Sequence, residues 1–502
     1  MGSMPGWGTL PRMLRDQAAR HPDQVVIADP AGPRLTLAGL REAASRVARG
    51  LAALGVRPGD RVALWGVNSS HWVVHAFGIW DAGAVLVPLS PRYKGIEAAQ
   101  LLTRTGAEVL VAEDSLAALL PALPGLRHVV PEVGSGALAP VQEAEERALA
   151  VRPGDLCEIM STSGTTGTPK GVMIDHSQVL RGYWDWSEIV ALDEHDRYPV
   201  IAPFSHGFGL NAGLVACVLR RATMIPIAAF TPDGLMSLIS GERVTVLAGP
   251  PTLFHRMLDE LDRGSWDVSS LRVAICGAAA VPAGLIRRLV EQAGLRRMIN
   301  AYGLMEGTVV SMTRAGDPIE VIANTTGRPV PGIEVAVVDD DGKPVAPGER
   351  GEILQRGYGV MRGYWDEPER TAEVIDADGW LHTGDVGVLD EAGNLAIVDR
   401  KKDLYIVNGF NVSPAEVESL LLREGSLAQV AVVGVPDRVS GESGLAYVVP
   451  RPGVTADPES LLVWARANMS GYKVPRRIVV LDALPTNANG KVDKVILRRH
   501  ET

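Results

Sequence analysis

Residues 161–171 read Ser161-Thr162-Ser163-Gly164-Thr165-Thr166-Gly167-Thr168-Pro169-Lys170-Gly171, a run of hydroxyls and glycines with one lysine directly behind the apolar pair Ile159-Met160. Glycines let a backbone close around an anion with several N–H groups pointing inward. The hydroxyls add donors, and Lys170 adds a point charge able to reach terminal phosphate oxygens. The chemistry this run offers is the holding of a polyphosphate. It is not a Walker A loop, which needs glycine, four residues, then Gly-Lys-Ser/Thr at the head of a helix. Here Lys170 follows Pro169 and precedes Gly171, so no helix starts in the required register.

Further polar clusters follow it along the chain. They are Pro203-Phe204-Ser205-His206-Gly207-Phe208-Gly209, Tyr302-Gly303-Leu304-Met305-Glu306, Trp380-Leu381-His382-Thr383-Gly384-Asp385 and Asp399-Arg400-Lys401-Lys402-Asp403. Two more lie nearer the C-terminus: Val407-Asn408-Gly409-Phe410-Asn411-Val412-Ser413-Pro414-Ala415-Glu416 and Leu484-Pro485-Thr486-Asn487-Ala488-Asn489-Gly490-Lys491. In this order, and together with the 161–171 run, they resemble the signature motifs of the adenylate-forming superfamily: acyl-CoA synthetases, peptide-synthetase adenylation domains and luciferases. The resemblance extends from about residue 10 to the C-terminus.

That resemblance implies ATP- and Mg²⁺-dependent activation of a carboxylic acid as an acyl-adenylate, followed by transfer to coenzyme A. Thr162, Ser163, Gly164, Thr165, Thr166 and Lys170 would bind the nucleotide's phosphates. Tyr302 and Gly303 would lie against the adenine, and Glu306, with Thr165, would hold Mg²⁺, an ion usually bound by a carboxylate plus substrate oxygens. Asp385 would accept from both ribose hydroxyls, as acceptor-only chemistry suits a vicinal diol. Arg400 would add a cation near the ribose and α-phosphate. Lys491 would bridge the carboxylate and the α-phosphate, where charge develops in the transition state.

Once the adenylate exists a thiol must approach instead, and the family turns its small domain about a hinge, here at Lys402. Gly409 would then line the pantetheine tunnel. The acid pocket would draw on Trp184, His206, Gly277, Ala278 and Ala301. His206, counted with Lys491 and Glu306 as a catalytic residue, would touch the carboxylate or gate the thiol path, and is not assigned as a general base. The small residues leave room for a bulky or ring-shaped acid.

Met305 departs from the pattern, standing where the family has a threonine whose hydroxyl bonds the α-phosphate. A thioether donates nothing, so a charge-assisted hydrogen bond of about 1–3 kcal/mol is missing. Three readings follow: Thr308 or Thr326 compensates, the site is slower, or the activated oxyacid is not an ordinary carboxylate. The last brings in diazotase chemistry with nitrite and an aryl amine. It stands beside amide formation and carrier-protein loading as the alternatives to CoA ligation.

These residues need a scaffold. At 502 residues the chain is too long for one ordinary core. Its early part alternates strand and helix. Thr36 can cap a helix with Leu40, Val47, Leu51 and Leu54 on one face, ended by Gly55. Arg61–Trp65 reads as a strand, 70–82 as a helix and Ala84–Pro88 as a strand. Val244–Leu247 and Val273–Cys276 read as buried strands. The fold class is α/β, with layered, largely parallel sheets in a large N-terminal domain over residues 1–401. Turn-rich strands around Gly332, Gly342, Gly348 and Gly351 add a β-rich subdomain to it. Residues 402–502 form a small, mobile α+β domain, with Val430–Val433 as one of its strands.

A formal charge of −10 argues against a nucleic-acid partner. Cys157, Cys217 and Cys276 show neither metal spacing nor a disulfide framework, which fits a reducing cytoplasm. The most apolar stretch, Trp72–Leu89, is interrupted by His75 and Asp81, so no transmembrane segment is expected. Monomer and homodimer stay equally open.

Overall fold

The computed structural model describes residues 4–162, 170–264, 266–277, 281–400, 403–407, 410–437, 440–469, 471–487 and 491–499. Ser163, Gly164, Thr165, Thr166, Ala278, Lys402 and Gly409, all expected site residues, lie outside them. Two compact units divide the chain: residues 1–335 with 355–381, and residues 336–354 with 382–502.

The widest sheet of the first unit runs in the order Gly363–Tyr364, Lys170–Asp175, Leu156–Thr162, Val85–Leu89, Arg61–Trp65, Val109–Ala112, His128–Val130. Its last five strands are parallel, and the other two are antiparallel additions at one edge. Val62, Ala63, Leu64 and Trp65 are all buried, because a parallel sheet is covered on both faces. A second sheet has the order Val246–Gly249, Val273–Gly277, Arg297–Leu304, Thr308–Met312, Arg328–Pro329, and a third Arg34–Thr36, Val25–Ala28, Thr223–Pro226, Arg197–Val200.

The helices around the first sheet start where the sequence supplies caps. The Thr36 hydroxyl accepts the Gly39 amide at 3.1 Å at the head of Leu37–Ala53, and Gly55 takes φ +84° just beyond its end. Such a cap contributes about 1 kcal/mol. Ser69 does the same for Ser70–Asp81, accepting from Trp72 at 3.2 Å. These two helices cross in close contact: a Cβ on Gly78 would lie 2.4 Å from the Val47 Cβ. Asp81, buried at the helix end, is neutralised by Arg15 at 2.8 Å. The expected strand Val244–Leu247 begins later, at Val246. Val244 instead closes the preceding helix, its amide donating to Ile239, and the Thr245 amide donates to Arg197.

The second unit contains the sheet Phe410–Val412, Tyr405–Val407, Gly441–Pro450, Leu427–Asp437, with Arg477–Val480 added parallel to Gly441–Pro450. The helices Pro414–Leu422 and Pro458–Asn468 carry buried Val417, Leu421, Leu461 and Leu462 into the same apolar cluster. The expected boundary between 401 and 402 is not where the compact units part. Residues 336–354 and 382–400 belong with the C-terminal segment, because ladder and side-chain bonds join them. The Thr383 hydroxyl donates to Ile353 at 2.7 Å, Gly348 to Leu389 at 2.8 Å, and Arg350 lies 3.8 Å from Glu416.

Candidate active site

The two ends of the Ser161–Gly171 run lie on adjacent strands of the widest sheet. Leu156–Thr162 and Lys170–Asp175 pair antiparallel, with Thr162 opposite Lys170 and Ser161 opposite Gly171. Lys170 therefore opens a strand, in keeping with the absence of a Walker helix. Ser161 shares a 2.9 Å hydrogen bond with the Tyr93 hydroxyl. Gly171 serves packing: a Cβ there would lie 2.8 Å from Ile159 Cγ2 and 3.2 Å from Trp365 Cβ. The Trp365 amide donates to the Gly171 carbonyl at 2.7 Å, which seats Gly363–Tyr364 as the edge strand. The ammonium of Lys170 then stands over the Tyr364 ring, 4.3 Å from its centroid.

Tyr302 lies near the end of the strand Arg297–Leu304, and Glu306 lies in the tight connection from it to Thr308–Met312. The pairing shifts register between Tyr302 and Gly303, and a Cβ on Gly303 would fall 2.4 Å from the Thr308 carbonyl. Thr308 takes φ +57°, costly for a β-branched residue, so this turn stores strain beside the site. The Glu306 carbonyl accepts the Met361 amide at 2.8 Å, and its Oε1 accepts the Tyr364 hydroxyl at 3.0 Å. Among the described residues its Oε2 has no protein partner. Burial, and then the charge of Glu306, push the Tyr364 phenol well above its usual range, so it stays a donor. Among the described residues no three His, Cys, Asp or Glu side chains converge as a metal cage. One carboxylate with an open oxygen suits Mg²⁺ shared with phosphate oxygens rather than a dedicated protein site.

Two hydroxyls were expected to compensate for Met305. Thr308 Oγ1 lies against Gly359 and Gly182, buried and with no hydrogen-bond partner among the described residues. Thr326 Oγ1 bonds Ser311 at 2.7 Å. Met305 itself turns toward the acid-pocket segment: its sulfur would lie 2.9 Å from a Cβ on Gly207. That segment is clamped by Asn68, which donates to Val200 at 3.0 Å and Ala202 at 2.9 Å and accepts from Phe204 at 2.8 Å. His206 is half-buried, and its Nδ1 accepts the Phe208 amide at 3.2 Å, so Nε2 carries the proton of the neutral ring.

The wide-turned helix Phe208–Val215 follows, a geometry enriched at functional sites. From it Asn211 Nδ2 donates to Glu158 Oε1 at 2.8 Å. Glu158 is wholly buried four residues before Thr162, and burial raises its pKa to about 7 against the partial relief of Asn211. Gly277 and Ala301 are register partners at the C-terminal ends of adjacent parallel strands, the usual ligand edge of such sheets.

Trp184 is not with them. Its indole carries the Arg220 guanidinium 3.7 Å from the ring centroid and meets Trp7 edge-on at 5.9 Å. It lines a separate cavity of about 200 Å³ with Asp16, Gln17 and Arg221. Helical phase explains the miss. Gln178 and Asp185 of helix His176–Val190 bond the segment 358–360, with Gly182 between them, and Trp184 projects about 200° around the axis from Gly182.

The second unit holds the remaining expected groups. In Thr383-Gly384-Asp385, Gly384 takes φ +68° and its amide donates to Glu352 at 3.3 Å, while the Asp385 amide donates to the Thr383 hydroxyl at 3.1 Å. Asp385 is buried, and its backbone partner across the hairpin is Arg400, so two motif residues fifteen apart in sequence are neighbours in the ladder. Lys491 is exposed on a turn closed by its own amide to Asn487 Oδ1 at 3.1 Å and by the Asn487 amide to its carbonyl at 2.8 Å.

Sequence reasoning missed Tyr364, Glu158 and Asn211. Tyr364 had a faint signal in the Gly363-Tyr364-Trp365 cluster, whereas the Glu158–Asn211 pair is separated by 53 positions and had none.

The family model for AMP-binding enzymes matches residues 14–365, and that for the AMP-binding enzyme C-terminal domain matches residues 416–491. The chain is 42% identical to the 3-[(3aS,4S,7aS)-7a-methyl-1,5-dioxo-octahydro-1H-inden-4-yl]propanoyl:CoA ligase of Rhodococcus jostii, covering 98% of this chain and 99% of the relative. It is 44% identical to the protein of the same description from Mycobacterium tuberculosis, over 98% of each. The structure of the anthranilate CoA ligase AuaEII in complex with anthranoyl-AMP superimposes with a TM-score of 0.88 at 27% identity, covering 99% and 98% of the two chains. Among the described residues no helix is long and apolar enough to cross a membrane. The chain belongs to the AMP-binding enzyme family, in the acyl-CoA synthetase branch of the adenylate-forming superfamily.

Proposed function

We propose that the protein is an acid–CoA ligase whose acid carries a bulky ring system on a short carboxylate tail. In the first step the acid's oxygen attacks the α-phosphorus of ATP and pyrophosphate leaves; in the second a thiol displaces AMP and gives a thioester. Lys170 meets the phosphates, and Tyr302 and Gly303 take the adenine. Asp385 takes the ribose hydroxyls, and Arg400 stands near the ribose and α-phosphate. Glu306 with Thr165 holds Mg²⁺, which when bound neutralises phosphate charge. Lys491 brings its ammonium between the two anions during the first step. The C-terminal lobe then turns about Lys402 and lets pantetheine pass along Gly409, with His206 at the acid's carboxylate.

The observation that supports this reading is the run of neighbours in the first unit. Lys170, Tyr364 and Glu306 touch in turn, and Met305, the residue before Glu306, packs on Gly207 beside His206. It supports a phosphate grip beside an acid site, with the small residue Ala301 next to Tyr302 in sequence and Gly277 its partner in the adjacent strand. The two relatives acting on a fused-ring propanoate support the bulky acid, and the packing of Met305 supports an acid-shaping role for it.

A panel of fused-ring propanoates, aryl propenoates, fatty acids and nitrite with an aryl amine, assayed for pyrophosphate with and without CoA, tests the reading. The expected outcome is acid-dependent pyrophosphate, with thioester seen by mass spectrometry only when CoA is present. Pyrophosphate with nitrite and amine alone, or an acylated amine in place of thioester, overturns it.

A further inference from the structure

We propose that Tyr364 is a positioning residue that holds Lys170 and Glu306 apart and aimed, so that the phosphate-gripping ammonium and the cation-holding carboxylate do not pair with each other. The inference rests on the functional reading above. Opposite charges brought this close in a partly buried nest attract strongly, and the flexible lysine stem offers no resistance to collapse. Yet Lys170 and Glu306 form no ion pair with each other. Both engage the same tyrosine instead: the ring face takes the ammonium at 4.3 Å, within cation–π range, and the hydroxyl donates to Oε1 at 3.0 Å. That donation fixes the carboxylate's orientation and leaves Oε2 to face a cation.

The tyrosine is itself held by the two elements it serves. It is buried on the edge strand Gly363–Tyr364, with Tyr364 opposite Val172 and Gly363 opposite Met173 of the strand that Lys170 opens. Trp365 donates to Gly171 on one side, and Met361 donates to the Glu306 carbonyl on the other. The Tyr364 amide donates to the Thr371 hydroxyl at 2.9 Å. A ring fixed to both backbones sets the separation of the two charges before nucleotide arrives, which lowers the ordering cost of binding.

Two substitutions separate the ring from the hydroxyl. Tyr364→Phe keeps the face under Lys170 and removes the donor to Glu306; Tyr364→Leu removes both. ATP binding by calorimetry in EDTA, and then across a Mg²⁺ titration, reads the two functions without turnover. For Tyr364→Phe, ATP affinity in EDTA stays within about twofold of the parent, while half-saturating Mg²⁺ rises about tenfold, the scale of one hydrogen bond to a charged group. For Tyr364→Leu the affinity in EDTA also falls about fivefold, the scale of one cation–π contact. If Tyr364→Leu does not fold, Tyr364→Phe, which keeps the core volume, carries the test alone. A Tyr364→Phe variant with unchanged Mg²⁺ dependence, or one whose EDTA affinity falls as far as that of Tyr364→Leu, overturns the positioning role alone. A parent protein that binds no ATP overturns it together with the functional reading. Loss of unliganded stability with both binding readouts unmoved leaves Tyr364 a packing residue and also overturns the proposal.

Discussion

Replacing Glu158 by glutamine should make the protein more stable, and only above mildly acidic pH. Glu158 is fully buried; its Oε1 is bonded to Asn211, and among the described residues its Oε2 has no partner. Burial raises its pKa from 4.5 to about 7, so the folded chain keeps the proton that the unfolded chain gives up. Because the folded value is the higher one, the stability this group contributes is complete below pH 4.5 and is lost as pH rises toward 7. At 1.36 kcal/mol for each tenfold difference in proton affinity, the loss reaches about 3 kcal/mol above pH 7. Glutamine keeps the acceptor for Asn211 and has no proton to lose. Urea unfolding of the parent and Glu158→Gln between pH 4.5 and 8.5 measures the difference. The curves should nearly meet at the acid end and separate by roughly 2–4 kcal/mol at the alkaline end. His75 and His176, buried and neutral with pKa values lowered to about 4 and about 3, slope the opposite way: their contribution is present above pH 6.5 and fades as pH falls. They occur in both proteins and cancel in the difference. Curves that run parallel across the range would refute the assignment of Glu158 as a buried neutral acid.

Lys491→Ala should abolish acid-dependent pyrophosphate release while ATP binding by calorimetry stays within about threefold of the parent, since a group acting in the transition state adds little to ground-state affinity. Pyrophosphate release at the parent rate would remove Lys491 from the chemistry. Gly171→Ala should cost about 1–3 kcal/mol in thermal unfolding, because its methyl meets Ile159 and Trp365, and should weaken ATP binding by unseating Tyr364. Unchanged stability there would mean that the edge strand shifts freely. Met305→Thr should change the acid profile and leave the KM for ATP within about twofold, as the thioether packs on Gly207. Competing acids differing by a ring methylene should separate by about tenfold in relative kcat/KM. A lower KM for ATP with an unaltered acid profile would instead restore the missing-hydroxyl argument.

The architecture was legible because its signals are local. The cap at Thr36, the continuous apolar strands and the glycine past the Leu37–Ala53 helix each depend on a few adjacent residues. The refusal of a helix after Lys170 was legible for the same reason, since it followed from Pro169 and Gly171 alone. What failed depended on distant contacts. Trp184 was expected at the pocket from the family resemblance, and only helical phase against the 358–360 segment decides which way it faces. Thr308 stands on a left-handed backbone against Gly182 and Gly359, a placement that no local signal gives. The compact-unit boundary followed a ladder that the charged 399–403 run does not announce, and the Glu158–Asn211 bond joins residues with no shared motif.

The pairing of Thr162 with Lys170 at the open end of a hairpin carries a consequence for chain length. Adding or removing residues between 163 and 169 leaves the pleat parity of both strands intact. One residue lost from Lys170–Asp175 instead inverts every later side chain in that strand, and with it the alignment that seats Tyr364 opposite Val172. Natural insertions and deletions in this enzyme should therefore avoid the strand Lys170–Asp175, so that codon gain and loss there are filtered by the geometry of a single ladder.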